Sequence, residues 1–109
     1  LHRCGDALML FHLQGPLSFG AAKGISERMT QIRQYKILVL DVTDVPHLGI
    51  TATLAIERMV EEAEHHERQV LIAGANAKVK ARLEQFRIHQ LTGSRREALA
   101  HAAQELDPN

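Results

Sequence analysis

Two hydrophobic periods alternate along the chain. In 7–14 (ALMLFHLQ), Leu8, Leu10 and His12 fall on one side of an extended backbone, and Met9, Phe11 and Leu13 on the other. The segment therefore predicts a strand. From Ala22 the period lengthens: Ala22, Ile25, Met29 and Ile32 recur at steps of three and four, one face of a helix. Between the two, 15–20 reads GPLSFG. Pro16 has no N–H to give a ladder and belongs in a turn. Leu17 to Phe19 then predicts a short second strand, folded back on the first as a hairpin.

Next, 36–42 (KILVLDV) is an apolar run, Ile37 to Leu40, closed by Asp41. A strand apolar on both faces is usually central in a sheet covered on both sides. Residues 51–66 carry the strongest period: Ala52, Ala55, Ile56, Met59, Val60 and Ala63 form one stripe, with Glu57, Arg58, Glu61, Glu62 and Glu64 off it. Another apolar strand follows at 69–74 (QVLIAG). Strand, helix and strand at this spacing make a βαβ unit, hence a parallel pair with a right-handed crossover. Asn76 is placed to cap a third helix with Val79, Leu83 and Phe86 inward. A short edge strand is expected around Ile88 to Leu91. Ser94 and Glu97 match a capping box opening a last helix, with Ala98, Leu99, Ala102 and Leu106 inward and Pro108 ending it. The sum is an α/β domain over 1–109: a mixed sheet of four to five strands, about four helices and an N-terminal β-hairpin.

A chain of 109 residues suits one domain and buries roughly 60–70% of its unfolded surface. Thirteen basic residues balance thirteen acidic ones, so no global field draws it to nucleic acid or anionic lipid. Cys4 is the only cysteine, which rules out an internal disulfide and suggests a reducing compartment. No apolar run approaches the roughly 18 residues of a membrane span. The chain begins at Leu1 rather than Met, and the expectation is a segment of a longer protein.

Catalytic and metal chemistry find little support. The seven histidines are scattered, and the adjacent pair His65 and His66 diverges by about 100° on a helix. Their better reading is as surface partners of Glu61 and Glu62, four residues earlier. His12 reads as a satisfied histidine at a core edge. There is no Gly-x-Ser-x-Gly elbow, and the Gly74–Lys80 stretch lacks the spacing and hydroxyl of a phosphate-binding loop. Asp41 and Asp44 are expected to shape the turn that ends their strand. The expectation is a protein that is not an enzyme, with no cofactor and no metal.

The order hairpin, helix, buried strand, Asp, loop, long helix, strand, Gly-x-Asn, helix resembles the STAS domain. That family includes free-standing anti-sigma factor antagonists and the cytoplasmic C-terminal domains of SulP anion transporters. The resemblance rests on ILVLDVTDVPHLGITATLAIERMVEEA (37–63) and VLIAGANAKVKARLEQF (70–86). The opening HLQGPLSFGAA (12–22) looks like the permease branch. The resemblance implies a cytoplasmic regulatory and dimerisation domain of a secondary anion transporter that carries bicarbonate or sulfate, with sodium as the coupling ion, within the cyanobacterial bicarbonate group. It implies as partners the transmembrane domain of the same polypeptide, a second copy as a homodimer, and a regulatory protein or nucleotide, but no nucleic acid. It places the domain at the cytoplasmic face of the plasma membrane. The alternative is an anti-sigma factor antagonist in a phosphorylation-controlled pathway.

In the antagonists the loop before the long helix reads Asp-Ser-Ser-Gly, and its second serine is phosphorylated. Matched on Asp41 and the helix stripe, that serine falls on Thr51, the Asp on Gly49, the first Ser on Ile50 and the Gly on Ala52. Only one hydroxyl survives. Gly49, Thr51 and Thr53 are thus the candidate switch or anion-contact loop. Thr51 is expected as the N-cap of the long helix, worth about 1 kcal/mol. Leu54 and Arg58, off the apolar stripe, are the candidate interaction surface.

Overall fold

The computed structural model describes residues 8–15, 17, 19–31 and 35–106. Cys4, His2, Pro16, Ile32 and Pro108 lie outside the described residues, as do the side chains of Ala22 and Met29. Three strands, β1 (Leu8–Gln14), β2 (Ile37–Asp44) and β3 (Gln69–Ala73), alternate with helices α1 (Phe19–Gln31), α2 (Ile50–His65), α3 (Ala77–Gln85) and α4 (Arg95–Leu106). The α/β class, the central β2 and the four helices match expectation.

The sheet has the order β1-β2-β3 and both pairings are parallel. Two right-handed crossovers stepping the same way put α1 and α2 on one face. That face is the larger core. Leu38, Leu40 and Val42 of β2, Val70 and Ile72 of β3, and Met9, Phe11 and Leu13 of β1 meet Ile25 of α1, the whole α2 stripe, and Val79 and Leu83 of α3. The alternate strand residues, Leu8, Leu10, Ile37, Val39, Leu71 and Ala73, face α4 through Ala98, Leu99, Ala102 and Leu106. Covering on both sides explains the unbroken apolar run of β2, whose residues 37–40 are at most 3% exposed.

Among the described residues three strands stand where four to five were expected, and the segment after β1 does not fold back. The ladder shifts between His12 and Gln14, and Gly15 takes φ of 69°. The Gly15 N–H donates to the Asp44 carbonyl, and Leu17 forms a parallel bridge with Leu48. The chain thus runs on beside the continuation of β2, and Phe19 already starts α1. Burial of Leu17, 8% exposed in the larger core, favours this path over a solvent-facing hairpin.

The expected edge strand survives in reduced form. Leu91 bridges Ile72 in parallel, with Ile72 N–H donating to Gln90 and Thr92 N–H to Ile72. The chain leaves β3 at Gly74, whose φ is 78°. A Cβ there would lie 3.0 Å from Thr43 Cα and also meet the Thr43 hydroxyl, so both conformation and space demand glycine. Two helix starts are capped as read. Asn76 accepts from Val79 N–H at 2.8 Å, and Ser94 and Glu97 exchange reciprocal bonds at 2.8 and 3.2 Å.

Candidate functional site

Two features meet at the C-terminal end of the parallel strands, where open α/β sheets usually present their ligand- and partner-facing surface. The first is the loop into α2. Gly49, not Thr51, is its N-cap, with φ −76° and ψ 168°, and no side chain caps it. The expected cap is therefore corrected: α2 begins at Ile50, which moves Thr51 into the first turn, exposed. The hydroxyl that works locally belongs to Thr53. It is fully buried and donates to the Gly49 carbonyl at 2.7 Å, one turn back. Burial forces this bond, because the hydroxyl has no water to turn to.

Downstream elements hold the same loop. Asn76 Nδ2 donates to the Pro46 carbonyl at 3.1 Å, and Arg82 Nε to the Leu48 carbonyl at 3.2 Å. From it α2 projects Ile50, 55% exposed, and Leu54, 41% exposed, the two large hydrophobics on the surface of the described residues. At i and i+4 they share one face, which Arg58, also exposed, continues by one turn. The structure thus brings Gly49, Thr51 and the Leu54–Arg58 face together, and takes Thr53 inside.

The second feature was not read from sequence. His12 continues the Leu8–Leu10 side of β1 and meets Asp41 of β2 across the α4-facing side of the sheet. His12 Nδ1 lies 2.9 Å from Asp41 Oδ2, and Nε2 lies 3.0 Å from Asp44 Oδ2. Asp41 is only 2% exposed. Its other oxygen accepts from Thr43 N–H at 3.1 Å and from the Thr43 hydroxyl at 2.5 Å. Arg95, opening α4, brings Nη1 to 3.6 Å from Asp41 Oδ2. The two aspartates do more than shape a turn: they tie β1, β2 and α4 together.

Electrostatics follow from this geometry. Burial pushes the Asp41 carboxyl up, but the bonds from Thr43 and His12 outweigh it and hold its pKa below the ordinary value. The hydrogen bond to Asp41 raises the pKa of His12; burial works against it, and the charges of Asp41 and Asp44 add to it. The available signals were the Leu8–Leu10–His12 alternation and a charge closing a buried strand. The register that joins them is tertiary. Among the described residues no group of three or more His, Cys, Asp or Glu could hold a metal ion, and no helix is long and apolar enough to cross a membrane.

The STAS domain family profile matches residues 3–101. The bicarbonate transporter BicA of Synechocystis sp. is 40% identical over 108 residues, covering 94% of this chain and 19% of that protein. BicA of Picosynechococcus sp. is 39% identical with the same coverages. The chain thus spans about a fifth of the length of these relatives. The solved STAS domain of a SulP transporter from Vibrio cholerae superposes with a TM-score of 0.82 at 27% identity, covering 94% of this chain and 86% of that one. Profile, relatives and fold agree, and the chain belongs to the STAS domain family.

Proposed function

We propose that this STAS domain is the cytoplasmic module of a SulP-type secondary anion transporter of the bicarbonate-carrying kind, and that it works by contact. In this reading it supports assembly, dimerisation and regulation of a transmembrane part carried by the same polypeptide, at the inner face of the plasma membrane. The observation that carries it is the 40% identity with BicA across 94% of the chain.

The site supports contact rather than catalysis. Both ring nitrogens of His12 face carboxylates, and the Thr43 hydroxyl is engaged by Asp41, so neither is free as base or nucleophile. The Ile50–Leu54 pair, continued by Arg58, offers an apolar and cationic surface at the start of α2. With Gly49 and Ile50 where the antagonists have acid and hydroxyl, the loop serves this surface as scaffold rather than as a phosphate switch.

The test is bicarbonate uptake by cells making the complete reading frame, intact, without this domain, and with Leu54→Glu. A dozen or so apolar spans upstream, together with uptake that falls on deletion and on Leu54→Glu, is expected. A reading frame that starts near Leu1, in a protein that binds a kinase-like anti-sigma factor, would replace this reading with the antagonist one.

A further inference from the structure

The bridge of His12 between two carboxylates has a consequence set by proton count. A carboxylate only accepts hydrogen bonds, so each ring nitrogen must present an N–H. The imidazolium has two and the neutral ring has one. The geometry, with Nδ1 at 2.9 Å from Asp41 and Nε2 at 3.0 Å from Asp44, is therefore that of the protonated ring. On deprotonation one nitrogen turns a lone pair toward an anion, and that contact fails.

Which contact fails follows from burial. The Asp41 side chain is 3% exposed, held by Thr43 and flanked by Arg95. The Asp44 side chain is 57% exposed and has water within reach. Asp44 is the one released. Asp41 and Asp44 of β2 contact the ring, Arg95 of α4 contacts Asp41, and His47 lies in the loop that follows Asp44. Arg95 approaches the same Asp41 oxygen as His12, so Asp41 stays ionised and partnered when the ring is neutral.

Asp44 ends β2 and is followed directly by 45–49. That loop is anchored from the α3 side by Asn76 and Arg82 and from the β1 side by the Asp44 side chain and the Gly15 N–H. We infer that His12 is a proton-operated latch on this loop: protonated, it holds the Asp44 side chain against β1; deprotonated, it releases Asp44 and loosens 45–49, which launch α2 and its exposed Ile50 and Leu54. The direction agrees with the raised pKa of His12, which the hydrogen bond to Asp41 favours. The latch acts on the contact surface whatever partner that surface takes.

The test is an NMR titration of the 109-residue chain, which carries its own core on both sheet faces, between about pH 5.5 and 8.5. A His47→Gln background keeps the loop's own imidazole from reporting. The His12 ring nitrogens and the amide exchange of Val45, Leu48 and Gly49 are read together. Exchange, corrected for its intrinsic pH dependence, should rise about threefold or more as pH crosses the His12 midpoint. Asp44→Asn should remove that rise and lower the midpoint, and His12→Gln should leave the loop at the faster rate throughout. A His12 midpoint at or below its ordinary value, loop exchange that ignores the His12 titration, or a pH response that persists in Asp44→Asn would overturn the latch.

Discussion

Thr51 and Thr53 stand two residues apart, and the structure assigns them opposite consequences on truncation. Thr53→Ala removes a fully buried hydroxyl bonded at 2.7 Å to the Gly49 carbonyl, and a buried methyl. The hydrogen bond contributes about 1 kcal/mol and the methyl about another 0.8 kcal/mol, before any residual cavity. Alanine's better helix propensity returns about 0.5 kcal/mol, leaving a net loss near 1.3 kcal/mol. Thr51→Ala removes an exposed hydroxyl from a helix start that no side chain caps, so only the propensity gain remains. It should be neutral or stabilising by up to about 0.5 kcal/mol. Urea unfolding followed by far-UV circular dichroism resolves the difference. The thermal midpoint should fall by about 6 °C for Thr53→Ala and hold or rise for Thr51→Ala. If Thr51→Ala costs as much as Thr53→Ala, Thr51 caps α2 in solution and the assignment of Gly49 as N-cap is wrong.

Three further outcomes are expected. Gly74→Ala places a Cβ against Thr43 at a φ of 78° and should cost more than about 2 kcal/mol, seen as a lower urea midpoint at unchanged slope; a loss under half of that would mean the β3–α3 corner yields easily. Asp41 has a pKa depressed below its ordinary value, so its contribution is present above that value and lost as pH falls through the folded one; Asp41→Asn should flatten the acid limb of stability, and an unchanged limb would refute this assignment. Leu54→Glu should leave stability within about 0.5 kcal/mol, since Leu54 is 41% exposed, while lowering the weak self-association expected of the domain in sedimentation; association that ignores the substitution would put the contact surface elsewhere.

Much of the architecture was legible because the two hydrophobic periods are local properties. The α2 stripe and the two-sided apolar run of β2 each name their own element, and Asn76 and the Ser94–Glu97 pair mark helix starts by short-range hydrogen bonding. The path after β1 was not legible, because Pro16 and Gly15 signal a change of direction without saying which. The burial of Leu17 beside Leu48 decided it, and that contact joins residues 31 positions apart. Thr51 was misplaced for a related reason: hydroxyl-rich helix starts look alike in sequence, and a shift of two residues exchanges a cap for an exposed first turn.

Residue order along single segments was enough to give the α/β class, the helix stripes and the family resemblance. Which polar groups meet depended on long-range packing. His12 and Asp41 are 29 residues apart and become partners because the parallel register of β1 and β2 sets them opposite each other. Arg95 reaches the same carboxylate only because α4 packs on the face that Leu8, Val39 and Leu71 leave apolar. A buried charge is tolerable only with partners in place, and those partners come from three separate elements that folding alone assembles.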